Sequence, residues 1–346
     1  MMAGTASTRS QPLKVLVVGG AGFVGSVVVA HLNDAGHDIT ICDNLSTGNA
    51  WAVQSEARFV PVDITDQASL TIVLGGDYDA VINLSGLSLA DDSNAYPLRY
   101  LRSNVIGTLN LLHAMGAHGL KRLVNSSTAA VYGRPDKVPV TETDRTLPAN
   151  PYAAAKLFVE EAIGFQAAAT GLGAVSLRSF NVAGACGPLG EWHHPETHLI
   201  PVALQVAAGI RGTVPVYGSR HATPDGTAVR DYVHVADVAR AYLAALEATG
   251  QPGHRVYNVG SGVGHSVHEV IELVRSVTGR AIPTVDAPSR DRDPAALVAS
   301  IVLAEEELGW VPALPDLHTI VDDAWTWLRS HLGTVAPGRA TPGVAA

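Results

Sequence analysis

A short apolar run, Lys14-Val15-Leu16-Val17-Val18, ends directly in Gly19-Gly20-Ala21-Gly22-Phe23-Val24-Gly25, and a helical stretch over 24–35 follows without a break. That order suits a buried parallel strand, a tight glycine turn and a helix whose N-terminus faces the turn. Gly36 fits the position just past the helix end. The spacing is G-x-x-G-x-x-G rather than G-x-G-x-x-G, and its place between strand and helix is what gives it weight. Small residues let the backbone approach a pyrophosphate, whose charge a helix N-terminus favours. Gly19, Gly22, Phe23, Val24 and Gly25 are therefore expected to line a dinucleotide site. Asp43 closes the next strand, where a carboxylate can hold the adenosine ribose hydroxyls and repel a 2′-phosphate, so the expected cofactor is NAD, with Asn44 beside it. Asp63 and Ile64 follow the third strand and would flank the adenine.

Further apolar runs at 80–84 and 122–126 alternate with helical stretches, including 98–118. The expectation is an α/β fold, a Rossmann-type doubly wound parallel sheet. Beyond Asn181 the texture changes: 184–198 and 214–231 are irregular, with helices over 199–209, 266–278 and 316–332. This half is expected to form a smaller mixed α/β substrate-binding domain over the carboxyl ends of the strands. The division reads as 13–182 for the dinucleotide domain, with 230–262 returning to it, and 183–229 with 263–332 for the substrate domain. The ends, 1–12 and 333–346, read as flexible.

The chain has 346 residues, 47% hydrophobic and 16% charged, which suits a globular enzyme. A net charge of −9 argues against nucleic-acid or anionic-membrane partners. Two cysteines, Cys42 and Cys186, make no disulfide framework. With no apolar run long enough to span a bilayer and no leader-like start, the expected location is the cytoplasm.

Tyr152-Ala-Ala-Ala-Lys156 supplies the chemistry. Asn150 and Pro151 suit the N-cap and first position of a helix. Tyr152 would sit in its first turn, with Lys156 on the same face. A free tyrosine has a pKa of about 10, and a fixed cation beside it favours the phenolate. Together with a bound dinucleotide this reads as oxidation of a hydroxyl, with Thr128 at the end of the preceding strand holding the reacting oxygen.

These stretches resemble the extended short-chain dehydrogenase/reductases of the NAD-dependent epimerase/dehydratase family, and within them the UDP-glucose 4-epimerases. The resemblance runs over roughly 13–330. Beyond the glycine loop it is carried by Asp43-Asn44-Leu45, Asn104-Val105-x-Gly107-Thr108, Val131-Tyr132-Gly133, Asn150-Pro151-Tyr152-x-x-x-Lys156, Phe180-Asn181-Val182-Ala183-Gly184 and Val229-Arg230-Asp231-Tyr232-Val233-His234-Val235. It implies that Tyr152 takes the proton from a sugar 4-hydroxyl while hydride passes to NAD, that the 4-ketose turns over in the site, and that hydride returns to the other face. Leu84 and Asn104 complete the expected cofactor set. On the substrate side the resemblance places Thr128 at the 4-oxygen, Asn181 at the diphosphate-sugar, and Leu199 and its neighbours at the nucleotide. It puts Tyr217 beside the uracil, Arg230 and Arg290 at the pyrophosphate, and Asp293 at the uridine ribose. A homodimer through the helices at 98–118 and 152–170 is also implied.

Ala129 and Ala130 stand where related 4,6-dehydratases carry an Asp-Glu pair and decarboxylases a Glu, which argues against elimination and decarboxylation. Other positions depart from the epimerase pattern. Ser88 replaces a Lys, Ser179 replaces a Tyr, and Ser219-Arg220-His221-Ala222 replaces an Asp-Tyr-Pro-type loop. Val18 replaces a Thr, and Leu297 stands where some members carry a Tyr that excludes N-acetyl sugars. These departures leave the sugar open, UDP-GlcNAc included, and keep a different nucleotide-linked substrate as a rival. A silent NAD-binding regulatory protein is the rival of another class, opposed by intact Thr128, Tyr152 and Lys156. His193, His194 and His198 invite a metal reading. No Cys or paired carboxylate is seen at ligand spacing to them, so no metal is expected. Glu305, Glu306 and Glu307 read as a solvated helix face, and Trp325 and Trp327 as packing for the last helix.

Overall fold

The computed structural model describes residues 11–290 and 293–334. The expectations for the flexible ends fall mostly outside them. The first half alternates strands and helices: β1 (Lys14–Val18), α1 (Phe23–Asp34), β2 (Asp38–Cys42), β3 (Arg58–Val60), α2 (Gln67–Leu74) and β4 (Ala80–Asn83). It continues through α3 (Ala90–Ala95), α4 (Pro97–Tyr100), α5 (Gly107–Ala117), β5 (Arg122–Thr128), α6 (Pro151–Thr170) and β6 (Gly173–Ser179). The second half contains β7 (Asn181–Ala183), β8 (Ala185–Cys186), β9 (Leu189–Gly190), α7 (Leu199–Ala207), β10 (Val214–Tyr217), β11 (Val229–His234), α8 (Val235–Ala248) and β12 (Gly253–Val259). After it come β13 (Gly264–Ser266), α9 (Val267–Thr278), β14 (Thr284–Ala287), β15 (Ala296–Leu297), α10 (Val302–Leu308) and α11 (Leu317–Thr334).

The central sheet has seven strands in the order β12-β6-β5-β4-β1-β2-β3, and every pairing is parallel. This is the doubly wound Rossmann-type sheet. Side-chain alternation along β1 explains why both faces need helices. Val15 and Val17 pack in the core under α1 and α8, while Leu16 and Val18 pack in the core under α2, α5 and α6. The order reverses between β1 and β4, so a crevice opens at their carboxyl ends, the usual ligand position in such sheets. From the second half β12 joins the main sheet beside β6 and α8 packs on it, whereas β11 pairs with β7, β13 and β15. The remaining segments pack around their own core of Val270, Ile271, Ile320 and Trp327.

Three local features differ from the sequence reading. The helix expected over 98–118 is α4 and α5 joined by a π-helical segment, Leu101–Ile106, a form that places extra backbone freedom near functional groups. β6 was not singled out, because Ser176 and Arg178 interrupt its apolar run; both are buried and find polar partners. The stretch 214–231, expected to be irregular, contains β10 and the start of β11, and β10 pairs only with β14.

Candidate active site

A cavity of about 720 Å³ lies over the crevice and reaches from the glycine loop to the start of α6. Its first end is built from backbone. Gly19 has φ +83°, and a Cβ there would lie 2.7 Å from the Leu84 carbonyl carbon, so only glycine turns the chain here. Gly25 is pressed onto the loop, where a Cβ would meet the Gly19 carbonyl oxygen at 2.1 Å. Gly22 is different. It has an ordinary φ of −76°, caps α1 without a side chain, and would bring a Cβ no closer than 3.5 Å to the rest of the chain. The fold does not require glycine at this position, yet Gly22 lines the cavity. The bare backbone and the uncapped amides of α1 fit a pyrophosphate.

Asp43 is 8% exposed and is held from both sides, Oδ2 accepting the Ala21 N–H at 3.0 Å and Oδ1 the Leu45 N–H at 2.8 Å. Its carboxylate is thereby aimed from the end of β2 into the cavity wall. Asn44 donates through Nδ2 to Asp63 at 2.9 Å. Burial works against ionisation of Asp63, but bonds from Thr65 and Asn44 outweigh it and its pKa lies below the usual range. Phe23, Val24, Ile64 and Leu84 are in the same wall. Asn104 is not. It is 3% exposed and its amide is spent on both backbone groups of Leu87, so it shapes the loop carrying Ser88. Arg99 and Arg102, which the sequence reading passed over, add positive charge to the wall; nothing in their spacing marks them.

The other end brings a phenol, an ammonium group and a hydroxyl together. Asn150 accepts the Ala153 N–H at 2.9 Å as N-cap, and Pro151 opens α6, as expected. Tyr152 and Lys156 face the cavity with Thr128. Lys156 is 7% exposed and donates to the Ser126 carbonyl at 2.9 Å. Burial draws its pKa down from 10.5 to about 8, with the Glu160 carboxylate pulling the other way. The expectation that Lys156 lowers the Tyr152 pKa is not met. Withdrawal from water pushes Tyr152 up, and the counteracting bond comes from Thr128 rather than from a cation. Ala129 is buried and Ala130 beside it has no titratable group. Ser179 is the register partner of Thr128 across β5 and β6, and Ser88 and Ser179 both line the cavity, so both departures border the reacting region.

On the substrate side, Asn181 and Leu199 line the cavity. Tyr217, Arg230, Arg290, Asp293 and Leu297 lie outside its wall. Arg230 donates to Asp293 at 2.6 Å, and Arg290 sits 3.9 Å over the Tyr217 ring while pairing with Asp91 at 2.8 Å. Leu297 pairs with Arg230 on the ladder and packs against Tyr132 and Phe180.

The wall also contains Glu191, His193 and His198. Here the sequence reading failed: two carboxylates do meet the histidines. Ligand atoms of Glu191, His193, Glu196 and His198 all lie within 4.8 Å of one another. The repeated Glu-x-His over 191–193 and 196–198 was the available signal. His193 Nδ1 is 3.0 Å from Glu191, and Glu196 accepts backbone N–H groups from Thr197 and His198. His198 Nδ1 lies 2.6 Å from Glu191 Oε1 at a poor hydrogen-bonding angle. Burial works against its protonation, but the two carboxylates raise its pKa from 6.5 to about 10.

Residues 15–260 match the NAD dependent epimerase/dehydratase family. The chain belongs to that family. It is 51% identical over 324 residues to a UDP-glucose 4-epimerase of Corynebacterium glutamicum, covering 92% of this chain and 98% of that one. A UDP-glucose 4-epimerase of Streptomyces lividans is 50% identical over 320 residues, 92% of this chain and 97% of the relative. Among solved structures, the Brucella ovis UDP-glucose 4-epimerase in complex with NAD superposes with a TM-score of 0.87 at 41% identity, covering 91% of this chain and 98% of that one. The Bifidobacterium longum enzyme in complex with NAD+ and UDP gives 0.89 at 35% identity, over 92% and 99% of the two chains.

Proposed function

We propose that this protein is an NAD-dependent sugar-nucleotide 4-epimerase acting on UDP-glucose and UDP-galactose. The observation that carries the reading is one cavity with Gly19, Gly22 and Asp43 at one end and Thr128, Tyr152 and Lys156 at the other, with no acid or base at 129 and 130. Gly19, Gly22 and Asp43 would hold the dinucleotide at the first end, where it would supply reversible hydride acceptance at the sugar C4. Tyr152 removes the 4-hydroxyl proton and gives it back, Thr128 bonds the phenol and holds the 4-oxygen, and Lys156 supplies positive charge to the same cavity wall. The 4-keto sugar turns over within the cavity and presents its other face. Asn181 and Leu199 are the nucleotide-sugar contacts nearest this path. Tyr217, Arg230, Arg290, Asp293 and Leu297 form the uridine-diphosphate end in the same reading, Arg290 swinging off Tyr217 when the base arrives.

The presence of serine at 88 and 179 beside the reacting region favours, as a second reading, the same chemistry on another nucleotide-linked sugar. Leu98 and Phe165 are 77% and 76% exposed on the helical segments expected to pair, which supports a homodimer. Among the described residues no helix is long and apolar enough to cross a membrane. The reading places the protein in the cytoplasm with no metal. In this reading Glu191 and Glu196 pair with His193 and His198 as an ion-paired wall of the cavity.

The test is to denature the purified protein, quantify released NAD, and incubate the native protein with UDP-galactose. Released NAD with formation of UDP-glucose is expected. Tight NAD without interconversion refutes the substrate, and neither NAD nor turnover refutes the enzyme.

A further inference from the structure

Behind the cavity wall, Glu160 follows Lys156 by one helical turn on α6 and is 4% exposed. Its carboxylate is fully engaged. Arg178 of β6 donates to it twice, Nε to Oε1 at 3.0 Å and Nη2 to Oε2 at 2.7 Å, and the Ser127 hydroxyl of β5 donates to Oε1. Ser127 and Arg178 are register partners, so the carboxylate pins two adjacent strands to the catalytic helix at one level. Ser127 lies between Ser126, whose carbonyl receives the Lys156 ammonium, and Thr128. Arg178 is held from behind by donating to the Tyr132 hydroxyl at 3.0 Å, which itself donates to Asn258 at 2.7 Å.

We propose that Glu160 is a positioning residue for proton transfer: it fixes the strand end bearing Thr128 against the helix bearing Tyr152 and Lys156, and keeps a negative charge one turn behind the lysine. This rests on the epimerase reading above. With the carboxylate present, the buried set of Lys156, Glu160 and Arg178 carries one net positive charge. Without it, two cations share a low-dielectric site, which disfavours protonated Lys156. The direction of the Lys156 titration agrees, since Glu160 is what opposes the effect of burial. The titratable and charged groups around the set are Tyr152 on α6, Tyr132 and Glu142 from the segment after β5, Tyr242 on α8 beside Ser126 and Tyr152, and His254 on β12, which bonds Ser176 at 2.9 Å.

The experiment compares wild type, Glu160→Gln and Glu160→Asp as NAD-loaded enzyme with UDP-galactose across pH, beside thermal melts. Glu160→Gln is expected to move the alkaline limb of kcat to lower pH and to reduce kcat roughly tenfold or more at mildly alkaline pH, with KM changed less than about twofold. Glu160→Asp keeps the charge, and should keep the wild-type limb with a lower kcat. Variants that only melt earlier, with the wild-type pH limb and kcat, overturn the proposal. If Glu160→Gln does not fold, Ser127→Ala decides: reduced kcat at unchanged KM supports the proposal, and wild-type kinetics overturns it. A wild type with no turnover overturns the epimerase reading itself, a result separable from any difference among variants.

Discussion

Gly22 caps α1 and Gly25 lies three residues on, inside its first turn, yet alanine at each should fail in a different way. At Gly25 the added methyl would sit 2.1 Å from the Gly19 carbonyl oxygen and 2.9 Å from the Gly20 Cα. Both neighbours are backbone, so the loop or α1 must move by more than 1 Å to restore van der Waals contact at about 3.5 Å. Overpacking of this kind costs about 1–3 kcal/mol, several degrees of melting temperature in a chain of this size, with or without cofactor. At Gly22 the nearest atom of the chain is 3.5 Å away, an ordinary contact, and the backbone conformation suits alanine. The only fold-level cost there is a cap preference of under about 1 kcal/mol. A dinucleotide approaching that backbone has no room for the methyl, so NAD retention should fall at least about tenfold, equivalent to about 1.4 kcal/mol. The assay is the melting temperature of cofactor-stripped protein together with NAD released per chain on denaturation. Gly22→Ala should melt like wild type when stripped and retain little NAD, whereas Gly25→Ala should melt early in both forms. A Gly22→Ala protein that keeps its NAD, or melts as early as Gly25→Ala when stripped, would refute this account of the loop.

Tyr152→Phe should lower kcat about a hundredfold or more without lowering the melting temperature, since it removes one buried hydroxyl and keeps the ring contact with Tyr100; near-normal turnover would remove Tyr152 from its role. The Glu191–His198 contact should stabilise the fold within a pH window. Glu191, against the effect of burial, is lowered from 4.5 to about 2 by the histidines, so its contribution is lost as pH falls from 4.5 towards 2. His198 is raised from 6.5 to about 10, so its contribution is complete below 6.5 and lost as pH rises towards 10. Melts of wild type and His198→Gln should therefore differ most between these limits, and a constant difference across pH would exclude the pairing. A chelator should leave activity and melting temperature unchanged; loss of either on chelation, restored by zinc, would make the cluster a metal centre. Phe165→Glu should yield a monomer by sedimentation if the exposed helical face is the dimer contact.

Most of the sheet was legible because its strands are short apolar runs, with β1 running into glycine and β2 into aspartate, a pattern that local chemistry alone dictates. The residues proposed for cofactor binding and proton transfer could be placed on one cavity wall because Asp43 follows β2 directly and the caps that start α6 just before Tyr152 and Lys156 are written in the sequence. What escaped depended on partners distant in sequence. β6 is polar at Ser176 and Arg178, and reads as a strand only once His254 and Glu160 satisfy those groups. Glu305, Glu306 and Glu307 are exposed as read, but the bond that Glu307 accepts from the Tyr257 hydroxyl at 2.6 Å was not visible locally. The carboxylates at 191 and 196 were visible, but their convergence on the histidines depends on how the loop folds back before α7. The reversed shift at Tyr152 arises from desolvation, which no spacing reveals.

The two lobes are not joined by one hinge. The chain leaves the main sheet after β6, comes back through α8 and β12, and leaves again, while β7 is hydrogen-bonded alongside β11. Asn49 also donates across the cleft to the Trp192 carbonyl at 3.2 Å, and Trp51 rests 6.0 Å from Trp327. Such multiple stitching resists wide gaping of the cleft. For a reaction that passes through a diffusible ketone, it is expected to favour retention of the half-finished molecule over its release.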